Sequence, residues 1–223
     1  MKKMFAFWAI PLLSGVLLMS TTAAKATTVT LEAGVYAKMD TTLGNMIIEL
    51  YAENAPKTVE NFISLAEGKK TWKDPNTGKE QTGKPIYDGT TFHRVIQGFM
   101  AQGGDPSGTG GGDVGFTIPM EKSPKLNHDR AGRVAMARRG DPNSASCQFY
   151  ITFGPTGFLD TPPGYAVFGQ VIHGMETVKA MEEVGAPPRA AHSHPSKEIK
   201  IQKVTIIRVE KGKTSAVDLE AKG

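Results

Sequence analysis

Residues 92–105 read FHRVIQGFMAQGGD, and this stretch carries more information about the fold and the site than any other. Arg94 lies inside an otherwise apolar strand pattern, where an unpaired charge is costly to bury. Phe99 and Met100 follow closely, and Gln102 adds an amide that can donate and accept hydrogen bonds. Apolar groups beside a fixed cation and an amide suit a pocket for an apolar ring flanked by amides. The alternative is that Arg94 makes a structural ion pair.

Upstream of this stretch, the sequence predicts two strands and a helix. Alternating apolar residues between residues 35 and 51 predict a strand pair joined by a turn at residues 41–44. The period then changes, with Pro56 at a first helical position, apolar residues at helical spacing and Gly68 at the end. Residues 69–86 are rich in Lys, Gly and Pro and predict a surface loop inserted into the domain.

Downstream, short apolar segments separated by Gly- or Pro-containing turns predict further strands, at residues 91–97, 99–103, 132–137, 147–153 and 165–171. A second amphipathic helix follows, with Met175, Val178, Met181 and Val184 on one side, and a last strand lies near residues 198–209. Many short strands with two helices predict a mainly β domain over residues 35–209, closed into an antiparallel barrel because closure removes exposed edges. The charged, small residues 210–223 predict a flexible C-terminal tail.

The N-terminal residues are typical of a secretory signal peptide. Lys2 and Lys3 precede the apolar run Phe5–Met19, and Ala24-Lys25-Ala26 forms an A-x-A cleavage pattern. We therefore expect residues 1–26 to be removed, residues 27–34 to form an N-terminal extension, and the mature protein to be periplasmic or secreted. An uncleaved membrane anchor is the alternative.

Composition excludes several classes of function. The formal net charge is +4, and removal of the three lysines of the signal peptide leaves +1, which argues against nucleic-acid or membrane-surface binding. Cys147 is the only cysteine, so an intramolecular disulfide cannot form; we expect it to be buried, with a redox switch as the alternative. The G-x-S-x-G and H-E-x-x-H motifs of hydrolases are absent, which argues against an exported hydrolase.

No motif indicates a cofactor or a metal. Residues 103–115 are glycine-rich but lack the G-K-[ST] ending of a phosphate-binding loop. His192 and His194 form an H-x-H pair without a convincing third ligand, so we expect no metal site. His93 points to the opposite strand face from Arg94, and we interpret it as structural.

Residues 92–105 resemble the signature of the cyclophilins, F-H-R-x-I-x-G-F-M-x-Q-G-G-D. Five later segments resemble further motifs of that family, in the family's order: Gly108–Gly111 (GTGG), Val134–Arg138 (VAMAR), Ser146–Ile151 (SCQFYI), Phe158–Asp160 (FLD) and Tyr165–Gly169 (YAVFG). The resemblance spans about residues 35–209, within which residues 69–86 exceed the short connection of minimal members. This insertion either modifies the choice of partner or is inert, and we expect it to be inert. The resemblance implies an eight-stranded antiparallel β-barrel capped by two α-helices, and a peptidyl-prolyl cis-trans isomerase that assists the folding of exported proteins.

The resemblance also implies roles for individual residues. Arg94 and Gln102 would act on the substrate backbone as the catalytic pair. The proline pocket and its groove would be formed by Phe99, Met100, Ala137, Arg138, Phe149, Phe158, Leu159 and Tyr165. No cofactor is implied. The expected partners are proline-containing polypeptides and unfolded exported proteins, and we expect a monomer.

Two positions depart from the pattern of many eukaryotic members. Phe158 stands where they carry a tryptophan that hydrogen-bonds cyclosporin, and Tyr165 stands where they carry histidine. These departures predict weak cyclosporin binding and leave isomerisation intact. A proline-binding module or chaperone without useful catalysis is the competing interpretation.

Overall fold

The computed structural model describes residues 26–220. The strands and helices, in chain order, are β1 (Ala26–Leu31), β2 (Gly34–Thr41), β3 (Gly44–Leu50), α1 (Pro56–Ala66), β4 (Trp72–Lys73), β5 (Glu80–Gln81), β6 (Arg94–Ile96), β7 (Met100–Gly103), β8 (Arg133–Met136), β9 (Phe149–Thr152), β10 (Val167–His173), α2 (Met175–Glu183), β11 (Ile201–Val209) and β12 (Ser215–Glu220). Two short 3₁₀ turns lie at Pro142–Ser144 and Gly157–Asp160. The expected signal peptide lies outside the described residues except for Ala26.

Eight strands form one antiparallel sheet in the order β11-β2-β3-β10-β8-β9-β7-β6. The sheet curls into an open half-barrel, and the prediction of a closed barrel was wrong. The outer edge of β6 is occupied by the loop after α2, because Val95 N–H donates to Ser193 O (2.7 Å) and Ala186 N–H donates to Val95 O (2.9 Å). The two edge strands do not pair with each other as a ladder. The segments just before them are joined by an isolated bridge between Thr91 and Lys200 and by backbone hydrogen bonds, among them Phe92 N–H to Ile199 O (2.9 Å).

The core lies between the curled sheet and helix α1. Pro56 occupies the first turn of α1, where its missing N–H costs nothing. The helix buries Val59, Phe62 and Ile63. The Phe62 ring stacks on Tyr87 with centroids 4.8 Å apart and meets Phe149 edge-on at 5.7 Å. The helix predicted before residue 68 is therefore confirmed, and its apolar face fixes the inner side of the sheet.

The terminal segments pair with each other. Strands β1 and β12 form a separate antiparallel two-stranded sheet with Val29 opposite Val217. Leu31 and Leu219 are buried against Ile47, which points to the outer face of β3. The prediction of a flexible tail is wrong for residues 215–220, because the outward Ile47 needs an apolar cover and β1 supplies a backbone partner.

The inserted segment 69–86 is not a plain loop. It contains the short hairpin β4–β5, in which Trp72 is buried and its ring N–H donates to Lys84 O (3.0 Å). The side-chain amide of Asn76 donates to Pro106 O (3.1 Å), which ties the hairpin tip to the glycine-rich segment. Within residues 26–220, no helix has the length and apolar character needed to cross a membrane.

Candidate active site

The β6–β7 hairpin places Arg94 directly opposite Gln102. The Arg94 guanidinium is half-buried; its Nη1 lies 3.4 Å from Gln102 Oε1, to which it donates, and 3.7 Å from Met100 Sδ. Burial lowers the pKa of Arg94, and a guanidinium stays protonated nonetheless. Among the described residues Arg94 has no ion-pair partner, which excludes a structural ion pair there.

A chain of amides orients Gln102. Its Nε2 donates to Gln148 Oε1 (2.9 Å), and Gln148 Nε2 donates to Gly110 O (3.0 Å). The direction of these bonds leaves the Gln102 oxygen facing Arg94. Because each amide is held by the next, the polar side of the site is arranged before any substrate binds.

A depression of about 140 Å³ lies beside Arg94, with polar groups on one side and apolar side chains on the other. Phe99 forms one wall, with its ring 5.8 Å from Arg94 Cζ. The Phe158 ring, which we expected in the pocket, lies 5.5 Å from the Phe99 ring, is 66% exposed and is not part of the lining. The complete lining is Arg94, Phe99, Met100, Gln102, Ala137, Arg138, Tyr150, Leu159 and Tyr165.

Phe149, which we expected in this pocket, lies in the core. Its side chain is fully buried and meets Phe62, Tyr87 and Phe92 edge-on. The next residue, Tyr150, lines the pocket instead, because consecutive side chains of a strand point to opposite faces. The sequence contained the signal: in β9 and the residue before it, Gln148 and Tyr150 alternate with Phe149 and Ile151, so the two pairs point to opposite faces.

Behind the pocket lies a buried chain of hydrogen bonds through Tyr150, His128 and Asp160, called the relay below, which was not predicted. The Tyr150 hydroxyl lies 2.7 Å from His128 Nε2, and His128 Nδ1 lies 2.7 Å from Asp160 Oδ1. Burial lowers the pKa of His128, with Asp160 acting in the opposite direction, and burial raises the pKa of Tyr150 well above 10. Tyr150 therefore donates to a neutral imidazole, which donates to Asp160. The relay joins the pocket wall in β9 to the 3₁₀ turn that carries Phe158 and Leu159.

Arg138 and Tyr165 close the other side of the pocket. The Arg138 Cζ lies 4.4 Å from the centre of the Tyr165 ring, and its Nε donates to Gly164 O (2.9 Å). Its Nη1 also donates to Arg139 O (2.8 Å). Arg138 is therefore anchored by main-chain oxygens and covers the ring of Tyr165. Ala137 lines the same pocket.

The histidines form no recognisable metal site. Within residues 26–220, no group of three metal-ligating side chains occurs. His93 is buried, and His194 Nδ1 lies 2.8 Å from the His93 carbonyl oxygen. His194 thus holds the backbone beside the Arg94 strand.

Comparison with known proteins identifies the family of this chain. Residues 36–206 match the family model described as "Cyclophilin type peptidyl-prolyl cis-trans isomerase/CLD". The chain belongs to the cyclophilins. This cyclophilin is 39% identical over 170 residues to peptidyl-prolyl cis-trans isomerase A of Mycobacterium tuberculosis, covering 76% of this chain and 91% of the relative. It is 38% identical over 172 residues to peptidyl-prolyl cis-trans isomerase B of Streptomyces anulatus, covering 77% and 95%.

A solved structure agrees with the fold. The crystal structure of a cyclophilin-type peptidyl-prolyl cis-trans isomerase from Cryptosporidium parvum, determined in the presence of the dipeptide Ala-Pro, superposes with a TM-score of 0.62. The identity is 31%, and the match covers 77% of this cyclophilin and 98% of the other chain. The activity of this cyclophilin is thus isomerisation of Xaa-Pro peptide bonds.

Proposed function

We propose that Arg94 is the catalytic residue and that the pocket holds the proline ring while the preceding carbonyl rotates. Resonance gives the peptide C–N bond a rotation barrier of roughly 18–20 kcal/mol. A donor aimed at the proline nitrogen stabilises its lone pair as resonance is lost in the twisted state. Only the part of this interaction that strengthens during rotation accelerates the reaction. The step requires neither a nucleophile nor proton transfer.

The observation that carries this proposal is a guanidinium that has no ion-pair partner among the described residues and lies beside the pocket. Arg94 is half-buried, has one amide and one thioether as neighbours, and retains N–H groups for a ligand. Gln102, fixed by Gln148, is proposed to hold the substrate backbone. Phe99, Met100 and Leu159, together with Tyr150, supply the apolar contacts. A 10⁵-fold acceleration corresponds to about 7 kcal/mol, so desolvation and orientation must add to the Arg94 hydrogen bond.

We further propose that the substrates are unfolded exported proteins. The proposal rests on the signal-peptide pattern of residues 1–26, which predicts a periplasmic or secreted protein. Exposed Xaa-Pro bonds of unfolded chains exchange over tens of seconds or more, which is slow enough to limit folding. A pocket that contacts mainly the proline ring and its flanking amides suits many such clients. We propose that the protein is a monomer. We also propose that it binds cyclosporin weakly, since Phe158 lacks the ring N–H of tryptophan.

Two measurements test this proposal. Cell fractionation of the full chain carrying a C-terminal tag should recover a shortened protein in the periplasm or the medium; a full-length membrane-bound protein would contradict the export proposal. The purified protein should also accelerate the slow, proline-limited refolding phase of a small secreted protein. Arg94→Ala should lose this effect, whereas equal acceleration by both proteins would assign it to binding without isomerisation.

A further inference from the structure

The proline pocket is the inner end of a longer groove. Gln102, Ala137 and Arg138 line both the pocket and a neighbouring middle section beside the glycine-rich segment. Gly112 and Asp113 in turn line both this middle section and an outer section of about 480 Å³. The shared residues place the three sections next to one another, from Arg94 to the inserted hairpin.

The inserted hairpin builds one wall of the outer section and is fixed in place. Lys73 N–H donates to Val114 O (2.9 Å), and the Asn76 amide donates to Pro106 O (3.1 Å). The outer section lies between these residues and the segment Ser107–Asp113. The wall on the hairpin side is therefore attached to the domain at both its base and its tip.

The opposite wall is equally fixed, by the buried carboxylate of Asp105. It accepts hydrogen bonds from Ser107 N–H (2.8 Å), Gly110 N–H (2.7 Å) and Gly112 N–H (3.1 Å). These three hydrogen bonds hold the backbone turn that forms the opposite wall of the groove. Neither wall has to become ordered when a ligand binds. Binding therefore loses no affinity to the entropy cost of ordering the walls.

The lining of the outer section mixes polar and apolar groups and carries both signs of charge. Lys73 and Asp113 are exposed and form no ion pair among the described residues, and Asn76 and Thr109 add uncharged polar groups. Such a lining matches the backbone amides and polar side chains of an extended polypeptide.

We infer that the inserted hairpin and the segment Ser107–Asp113 form an outer subsite for the polypeptide that flanks the isomerised proline. The inference rests on the proposed function and extends it to the choice of substrate: long, unfolded chains are preferred over short peptides. Two hydrogen bonds of ordinary net strength in the outer section raise kcat/KM for a long substrate by about tenfold.

A blocking substitution tests this subsite. A Cβ added at Gly111 would have Thr109 Oγ1 as its only neighbour within 4 Å, at 3.6 Å, so the position accepts a side chain and Gly111→Trp is chosen to obstruct the outer section. Lys179→Trp is the matched control, because Lys179 is exposed on α2 and lines none of the three sections. Cis/trans exchange is measured by NMR in a blocked peptide of four residues centred on Ala-Pro. A second probe carries the same centre extended by six Ser, Thr and Asn residues on each side.

The ratio of kcat/KM for the long and short peptides is the readout. The parent and Lys179→Trp should show a ratio of about ten, and Gly111→Trp a ratio near one. A parent ratio near one, or a Gly111→Trp ratio equal to the parent's, overturns the subsite while leaving the isomerase site intact. No acceleration of either peptide by the parent overturns the subsite and the proposed function together. If Gly111→Trp does not fold, the double variant Lys73→Ala/Asp113→Ala removes the charged hydrogen-bonding groups of the outer section and tests the same ratio, with the same outcomes.

Discussion

Replacing Tyr150 with phenylalanine should destabilise this cyclophilin through one hydrogen bond. The substitution keeps the ring that lines the pocket and removes only the hydroxyl, which lies 2.7 Å from His128 Nε2. His128 is fully shielded from solvent, so its nitrogen would be left as a buried acceptor without a partner. An unsatisfied buried polar group costs about 1–3 kcal/mol. We therefore expect Tyr150→Phe to lower the free energy of unfolding by about 2 kcal/mol.

Thermal and urea unfolding followed by circular dichroism would measure this loss. For a domain of this size, about 2 kcal/mol corresponds to a decrease in Tm of roughly 4–8 °C. Tyr165→Phe provides the matched control: it makes the same chemical change in the same pocket, and the Tyr165 hydroxyl has no hydrogen-bond partner among the described residues. That control should stay within about 0.5 kcal/mol of the parent. Equal stability of Tyr150→Phe and the parent would refute the relay as a stabilising element.

Three further predictions concern the scaffold. A side-chain hydrogen bond from Arg208 lowers the pKa of Glu67 from its ordinary 4.5 to about 2; this stabilisation is complete above about pH 4.5 and is lost as the pH falls toward 2. Glu67→Gln should therefore cost about 1 kcal/mol at pH 7, and urea unfolding should show no such cost near pH 2. Burial raises the pKa of Cys147 to about 12, so a thiol reagent at pH 8 should label the unfolded chain and not the native one; rapid native labelling would contradict its burial. Leu219→Ala should cost about 2–4 kcal/mol by opening a cavity under β12, whereas Asp218→Asn on the exposed face should cost under about 0.5 kcal/mol; equal effects would show that β12 does not pack.

The hairpin that carries the site could be predicted because the residues that pair in it are close together in the sequence. Arg94 and Gln102 are eight positions apart on two short strands joined by a tight turn, so their pairing follows from the sequence. Phe99 and Met100 lie in or beside that turn and reach the same pocket. Both helices could be predicted for the same reason, since their apolar periodicity is contained in one segment.

The features that were missed depend on contacts between distant residues. The relay joins His128, Tyr150 and Asp160, which have no pattern in common in the sequence. The open sheet depends on the loop after α2 reaching the edge of β6, which no local periodicity reports. Phe149 was assigned to the pocket by motif position alone, although strand alternation places it in the core.

Cis/trans exchange in a short Xaa-Pro peptide, followed by NMR with the full chain and its Arg94 variants, tests the central claim most directly. The parent should accelerate exchange, and Arg94→Ala should lose about 100-fold in kcat/KM, equivalent to about 2.7 kcal/mol of transition-state stabilisation. Arg94→Lys should also be poor, because an ammonium cannot reproduce the planar fork of donors. Circular dichroism must show both variants folded. A folded Arg94→Ala that exchanges the peptide as fast as the parent would contradict the account.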